Sequence, residues 1–176
     1  MIEDLVRLPM FRGISTPDLE DLLTHMEVVR FAPGERVFEQ GEAANGALIV
    51  VQGQLEARIA SDSTERAIGK IHPGELCGEA GFFQRQGLRN ARVVAVRQSA
   101  CVRLSPESMQ ATLGNPAMAA VEKHLVVSVA RRIRLTNLDI QKVWKEQAVR
   151  ESEDSPAVDT KNTLLGQLRG LLGGRR

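Results

Sequence analysis

The sequence lacks an excess of charge and any long apolar run, and each absence excludes a class of protein. Its 176 residues contain 23 Lys and Arg against 22 Asp and Glu, which leaves a formal net charge of +1. The chain therefore has no overall basic surface of the kind that drives nucleic-acid binding. No run approaches the roughly 18 apolar residues of a membrane span, and the first residues do not form a signal sequence. We expect a cytoplasmic protein.

Metal-binding and catalytic motifs are absent as well. Cys77 and Cys101 lie in apolar runs without CxxC or another ligand spacing, so we expect buried free thiols. His25, His72 and His124 are far apart and share no ligand spacing. The chain contains neither a GxSxG element nor a Walker loop. We therefore expect a protein without a catalytic centre and without a metal.

The composition that remains, 43% hydrophobic and 26% charged, is that of a folded domain. From Pro9 to Met26, a hydroxyl cap at Ser15 and a first-turn proline at Pro17 precede leucines at helical spacing, which predicts a short helix. From residue 27 to about 104, short runs of strand character alternate with glycine-rich turns, which favours a sandwich, roll or barrel. The runs are Val28 to Phe31, Arg36 to Phe38, Ala47 to Gln52, Gln54 to Ile59, Arg66 to Ile71, Arg92 to Arg97 and Ala100 to Leu104.

A second helical region follows the strands. The segment Ser105-Pro106-Glu107-Ser108 predicts a helix start, and a longer helical pattern runs from about Pro116 to about Arg150. Within the long pattern, one stripe has alternating spacings of three and four: Val126, Val129, Ile133, Thr136, Ile140 and Val143. Such a seam is typical of a helix that pairs with another copy of itself, and the alternative is packing on its own strands. Thr136 is the polar exception on this seam, so it either bonds to its own helix or faces a ligand.

The last part of the chain has two segments of different character. Residues 151–160 are polar and acidic with one proline, which predicts a linker. Residues 161–176 have leucines at helical spacing among basic side chains, but four glycines weaken a helix there. Docking on a partner, peripheral contact with an anionic membrane and a frayed terminus are all open for this tail.

The strongest chemical signal is the stretch from Pro73 to Phe83 together with Arg89-Asn90-Ala91. A glycine opens a short helix there, and the first amides of a helix point outward as donors to an anion. Arg89 supplies a planar pair of donors that suits a phosphate. A phosphate would repel Glu79, so this carboxylate suits a ribose hydroxyl beside the phosphate.

These residues resemble the cyclic nucleotide-binding domain family, and within it the catabolite activator protein type. The run from Gly78 to Phe83 and the later Arg89-Asn90-Ala91 match the phosphate-binding cassette of the family without insertion or deletion. The glycine corners around Gly34, Gly41 and Gly53 also match, and the resemblance covers about residues 7 to 143. It implies an α+β, mainly β, fold: a double-stranded β-helix or jelly roll with N-terminal helices and a long C-terminal dimerisation helix.

The resemblance also implies a role for each matching residue. Glu79 would bind the ribose hydroxyl, Arg89 the phosphate, and Asn90 would stand where the family has a hydroxyl residue beside the phosphate. Arg132 would support Glu79, and Thr136 with Asn137 would read the base. The predicted nucleotide-binding set is Gly78, Glu79, Ala80, Arg89, Asn90, Ala91, Arg132, Thr136 and Asn137.

Three substitutions depart from the family pattern. Asn90 and Asn137 replace hydroxyl residues, and Arg92 replaces a Thr or an aromatic, where we expect it to lean into solvent. The ligand implied is cAMP, with cGMP as the alternative. A degenerate roll that binds no nucleotide and serves as a scaffold for a partner or a membrane is the rival hypothesis.

The expected organisation has four parts: a nucleotide-binding roll with its helical lead-in (1–115), a long dimerisation or lid helix (116–150), a linker (151–160) and a basic, leucine-rich tail (161–176). About 26 residues follow the long helix, which is too few for the helix-turn-helix domain of the activator type. We therefore expect no direct DNA binding. We expect a homodimeric sensor that signals to an as yet unidentified partner protein.

Overall fold

The structure is a computed structural model that describes residues 1–61, 64–84 and 87–154. Its helices are α1 (Ile2–Val6), α2 (Thr16–Thr24), α3 (Glu79–Phe82), α4 (Pro106–Ala111) and α5 (Pro116–Asp154), with a short 3-10 helix at Pro9–Phe11. Its strands are β1 (Glu27–Phe31), β2 (Arg36–Phe38), β3 (Ala47–Gln52), β4 (Leu55–Ser61), β5 (Thr64–Ile71), β6 (Leu76–Cys77), β7 (Arg92–Ala95) and β8 (Ser99–Leu104). The predicted strands are confirmed, although β7 ends at Ala95 and not at Arg97, and α1 and β6 were not predicted.

The strands form two antiparallel four-stranded sheets, with orders β1-β8-β3-β6 and β2-β7-β4-β5. Strands from the start and the end of the region are neighbours in both sheets: Val29 pairs with Cys101, and Phe38 pairs with Val93. Such long-range pairing of two sheets is the jelly roll that the resemblance implies, so the expected fold class is confirmed.

Strand β3 is buried on both of its faces. Leu48 and Val50 belong to a core between the sheets, whereas Ile49 and Val51 belong to a second core shared with the N-terminal helices. Because neither face meets water, the strand is a continuous apolar run instead of an alternating one. The first sheet is therefore the middle layer, with helices on one side and the second sheet on the other.

The two predicted helix starts have the expected capping bonds. The Ser15 hydroxyl accepts a hydrogen bond from the backbone N–H of Asp18 at the start of α2. At the start of α4, Ser105 and Ser108 form a reciprocal capping box. Each cap satisfies an amide that lacks a partner in the first turn of its helix.

The described residues divide into two units between Ala130 and Arg131, and α5 begins in the first and ends in the second. In the second unit, residues 131–150 are exposed throughout. The helix continues to Asp154, four residues into the segment expected to be a linker. Residues 151–154 contain neither glycine nor proline, and Pro156 is the first residue that disfavours a helix before it. Residues 155–176, including the predicted tail, lie outside the described residues.

No helix among the described residues is both long and apolar enough to cross a membrane. Cys77 and Cys101 are both buried, as expected, and they form no disulfide. Burial raises the pKa of Cys101 to about 12, because the charged thiolate is disfavoured in an apolar core.

Candidate functional site

Glu79 and Arg89 are both almost completely buried, with exposed fractions of 3% and 4%. Charged side chains are rarely buried to this extent without a partner, so the pair marks a candidate polar site in the first unit. Burial lowers the pKa of Arg89, and the carboxylates of Glu42 and Glu79 act in the opposite direction. The predicted carboxylate and guanidinium are therefore both side chains of the buried interior of the first unit.

The backbone around Arg89 is fixed by the turn that follows β2. The N–H of Arg89 donates to the carbonyl oxygen of Glu42 at 2.8 Å, and the N–H of Gly41 donates to the carbonyl oxygen of Arg89 at 2.8 Å. The loop is joined to the same turn a second time, because Ala44 N–H donates to the carbonyl oxygen of Gly87 at 3.0 Å. These bonds orient Arg89 towards the interior of the roll.

The guanidinium of Arg89 has two further contacts. Its Nη1 donates to the carbonyl oxygen of Gly78 at 2.7 Å, next to Glu79 in the chain. Its Cζ lies 3.7 Å from the centroid of the Phe38 ring, within the range of a cation–π interaction. Sequence analysis missed Phe38 as a site residue. In a strand of three residues, alternation alone does not show which side chain faces the core.

Gly78 lies against both Arg89 and Phe38. It caps α3 with φ +79°, in the left-handed region that favours glycine. A Cβ at this position would collide with Arg89 Nη1 and would lie 2.7 Å from Cε2 of Phe38. Gly81 is confined in the same way, since its Cβ would lie 2.8 Å from Cβ of Ala44. Glycine is therefore required by backbone conformation at Gly78, and by space at both positions.

The other predicted site residues have different surroundings. Ala80 and Asn90 are exposed, and Ala91 is half-buried at the start of β7. Arg132, Thr136 and Asn137 are exposed residues of α5 in the second unit. Their roles toward a ligand stay predictions. The structure thus brings together Gly78, Glu79 and Arg89, and it adds Phe38 to them.

The sequence predicted that Arg92 leans into solvent, but its side chain forms ion pairs. Its Nη1 lies 3.3 Å from Glu65 Oε1, and its Nε lies 3.7 Å from Glu39 Oε2. Arg58 bridges Glu65 as well, at 3.4 Å. Arg92 is thus paired with Glu39, just after β2, and with Glu65 of β5, on the strand face opposite Val93, which faces the core.

The described residues contain no group of three or more His, Cys, Asp and Glu side chains arranged to hold a metal ion. The chemistry of the site is instead that of recognition. A guanidinium donates to phosphate oxygens, and a carboxylate accepts hydrogen bonds from hydroxyl groups. Together they suit a ligand that carries an anionic group and a hydroxyl side by side.

The two sheets and the buried charged pair define a jelly-roll domain with a polar interior site. The chain belongs to the cyclic nucleotide-binding domain family, whose model matches residues 28–115, half of the sequence.

Relatives of known function are similar to this chain over most of its length. A CRP-like cAMP-activated global transcriptional regulator of Mycobacterium tuberculosis is 25% identical over 138 residues, which cover 78% of this chain and 60% of that protein. A cAMP-dependent protein kinase regulatory subunit of Mycosarcoma maydis is 27% identical over 124 residues, 68% of this chain and 23% of that protein. The chain therefore spans less than two thirds of the length of either relative.

Solved structures agree with the fold. The catabolite activator protein of Thermus thermophilus superimposes with a TM-score of 0.67 at 25% identity, covering 80% of this chain and 65% of that one. The N-terminal domain of a transcriptional regulator from Streptomyces coelicolor gives a TM-score of 0.56 at 27% identity, covering 76% and 94% of the two chains.

Proposed function

We propose that this protein is a non-enzymatic sensor that binds a cyclic nucleotide, and that its ligand is cAMP. The observation that carries the proposal is the burial of Glu79 and Arg89 in a jelly roll, where Arg89 donates to the carbonyl oxygen of Gly78, the residue before Glu79. Burial of two charged side chains costs free energy, because each loses its hydration. Binding of a polar, anionic ligand would offset that cost. The cAMP-dependent regulators among the relatives favour cAMP over cGMP.

In this proposal Arg89 binds the phosphate of the ligand and Glu79 binds its ribose. The in-plane N–H groups of Arg89 that do not contact Gly78 donate to phosphate oxygens. Glu79 accepts a hydrogen bond from the ribose 2'-hydroxyl, which separates its charge from the phosphate. The backbone around Gly78, Ala80 and Ala91 borders the phosphate, and the side-chain amide of Asn90 supplies a further donor.

The second unit would read the base. Thr136 and Asn137 offer a hydroxyl and an amide to base edges, and Arg132 would support the carboxylate of Glu79. A ligand that binds two conformations of the protein unequally favours one of them over the other. This difference is the signal that a partner protein would detect.

We also propose that the protein is a homodimer through α5. The apolar members of the seam are exposed: Val126, Val129, Ile133, Ile140 and Val143. Exposed apolar side chains at alternating spacings of three and four are those of a helix that pairs with a second copy.

Isothermal titration calorimetry of the full chain with cAMP, cGMP and a cyclic dinucleotide tests the proposal. Arg89→Lys keeps the charge but loses the planar pair of donors, and Glu79→Gln loses the carboxylate. We expect each to weaken cAMP binding by about 10- to 100-fold, the usual cost of a charged hydrogen bond. Arg97→Ala, at an exposed position after β7, is the matched control and should bind as the wild type does.

Two results contradict the proposal. Unchanged affinity in both site variants would mean that the nucleotide binds elsewhere. A wild-type protein that binds none of the three nucleotides would favour the scaffold hypothesis instead.

A further inference from the structure

The phosphate-binding arginine of the proposed site is stacked on an aromatic ring. Phe38 comes from β2, 51 positions before Arg89 in the sequence, and its ring centroid lies 3.7 Å from Arg89 Cζ. Both side chains are buried, with exposed fractions of 7% for Phe38 and 4% for Arg89. The attraction between a cation and an aromatic face is stronger when water is excluded. This contact therefore holds the guanidinium more firmly than a surface pair would.

A second contact fixes the guanidinium from its edge. Arg89 Nη1 donates to the carbonyl oxygen of Gly78 at 2.7 Å, while the ring touches the guanidinium through its face. A contact to the face and a bond to one edge together define the plane of the group. Neither contact uses the other in-plane N–H groups of Arg89, and in the proposed function these groups donate to the phosphate.

Gly78 brings the two contacts together. Its missing side chain leaves the space in which Arg89 Nη1 and the Phe38 ring meet, since a Cβ would collide with the first and lie 2.7 Å from Cε2 of the second. Three distant parts of the chain therefore converge on one guanidinium: β2, the residue before α3, and the loop before β7.

We propose that Phe38 is a positioning residue, whose ring orients the guanidinium of Arg89 toward the phosphate of the bound nucleotide. This inference rests on the proposed function and extends it to a residue outside the cassette. An arginine side chain has many rotamers, and binding that must first select one of them is weaker. The Phe38 ring and the Gly78 carbonyl make that selection before the ligand arrives.

The test compares Phe38→Leu, which keeps an apolar side chain but removes the ring, with Phe38→Tyr, which keeps the ring. Calorimetry with cAMP should show an affinity about tenfold weaker for Phe38→Leu and within about twofold of the wild type for Phe38→Tyr. Circular dichroism and thermal unfolding of both variants establish that they fold.

A measurement on the ligand-free protein separates positioning from a structural role. The ring current of Phe38 should shift the NMR signal of the Arg89 Nε–H group upfield in the wild type and in Phe38→Tyr. The shift should disappear in Phe38→Leu, in parallel with the affinity. The wild-type signal by itself tests whether the ring lies over the guanidinium, and this part of the test does not depend on either variant folding.

The outcomes distinguish the two proposals. If the wild type binds cAMP and Phe38→Leu binds it equally well, or if the upfield shift is absent from the wild type, the positioning role is wrong and the proposed function stands. If the wild type binds neither cAMP nor cGMP, the proposed function fails, and the positioning role fails with it.

Discussion

Asn115 joins the start of α5 to α2, because its Nδ2 donates to Asp21 Oδ2 at 2.8 Å and to the carbonyl oxygen of Asp18 at 3.0 Å. Its Oδ1 accepts hydrogen bonds from the backbone N–H groups of Ala117 and Met118 at 2.7 and 3.2 Å. One buried side chain therefore caps the long helix and ties it to the N-terminal helices.

Replacing this side chain should destabilise the first unit. We expect Asn115→Ala to lower the free energy of unfolding by about 2 kcal/mol, because it removes a helix cap and leaves buried polar groups without partners. Asn115→Ser keeps a capping oxygen and should recover about half of that loss. Urea denaturation of the three proteins measures the difference. Equal stability of Asn115→Ala and the wild type would show that these bonds contribute nothing.

Gly78 and Gly34 offer a matched comparison for the nucleotide site. Both have a left-handed φ, +79° and +82°, but a Cβ at Gly34 would meet no atom within 4 Å. Alanine at either position should cost about 1 to 2 kcal/mol of backbone strain. Only Gly78→Ala should also displace Arg89 and weaken cAMP binding by at least about tenfold, as measured by calorimetry. Equal nucleotide affinity of the two variants would contradict the site geometry.

The proposed dimer seam has a control on another face of the same helix. Ile133 lies on the seam and Leu138 lies away from it, and their exposed fractions are similar, 57% and 54%. We expect Ile133→Asp to convert the dimer to a monomer, because it places a charge in an apolar interface. Leu138→Asp should leave the dimer intact. Sedimentation equilibrium measures the mass of each protein, and identical masses for the two variants would contradict the seam.

Burial of Cys101 predicts a loss of stability at alkaline pH. The pKa of this thiol is raised from 9.0 to about 12 in the folded protein, so the unfolded chain releases its proton first. The stabilising effect is complete below pH 9 and decreases as the pH rises toward 12. The free energy of unfolding should therefore fall less steeply between pH 8 and about 11 for Cys101→Ala than for the wild type. The difference between the two slopes should be up to about 1.4 kcal/mol per pH unit. Parallel curves would contradict the shift.

Local sequence signals predicted most of the fold. Alternation and glycine turns identified most strands, and the hydroxyl caps at Ser15 and Ser105 identified two helix starts. β6 was missed because it has only two residues and pairs with β3, more than twenty positions earlier, so no local pattern encodes it. α1 was missed because five residues are too few to show a helical period, and it packs through the buried Leu5.

The part of the site that lies within one short stretch of sequence was predictable, and the part that depends on pairing between distant strands was not. The resemblance identified Glu79 and Arg89, because both lie in one short motif. It did not identify Phe38 as a site residue. The stacking of Phe38 on Arg89 forms only when β2 pairs with β7, in the register that places Phe38 opposite Val93. Contacts between distant strands depend on register, which a single sequence does not display.

Gly46 bears on how the register of β3 is chosen. Because both faces of β3 are apolar, moving the strand by one position would still bury apolar side chains, so hydrophobicity alone does not exclude the slip. A Cβ at Gly46, however, would lie 2.6 Å from the carbonyl oxygen of Leu104. In the observed register the next residue, Ala47, pairs with Leu104, so position 46 has no room for a side chain while β3 stays paired with β8. The missing side chain of Gly46 thus permits the alignment that places Leu48 and Val50 between the sheets and Ile49 and Val51 against the helices.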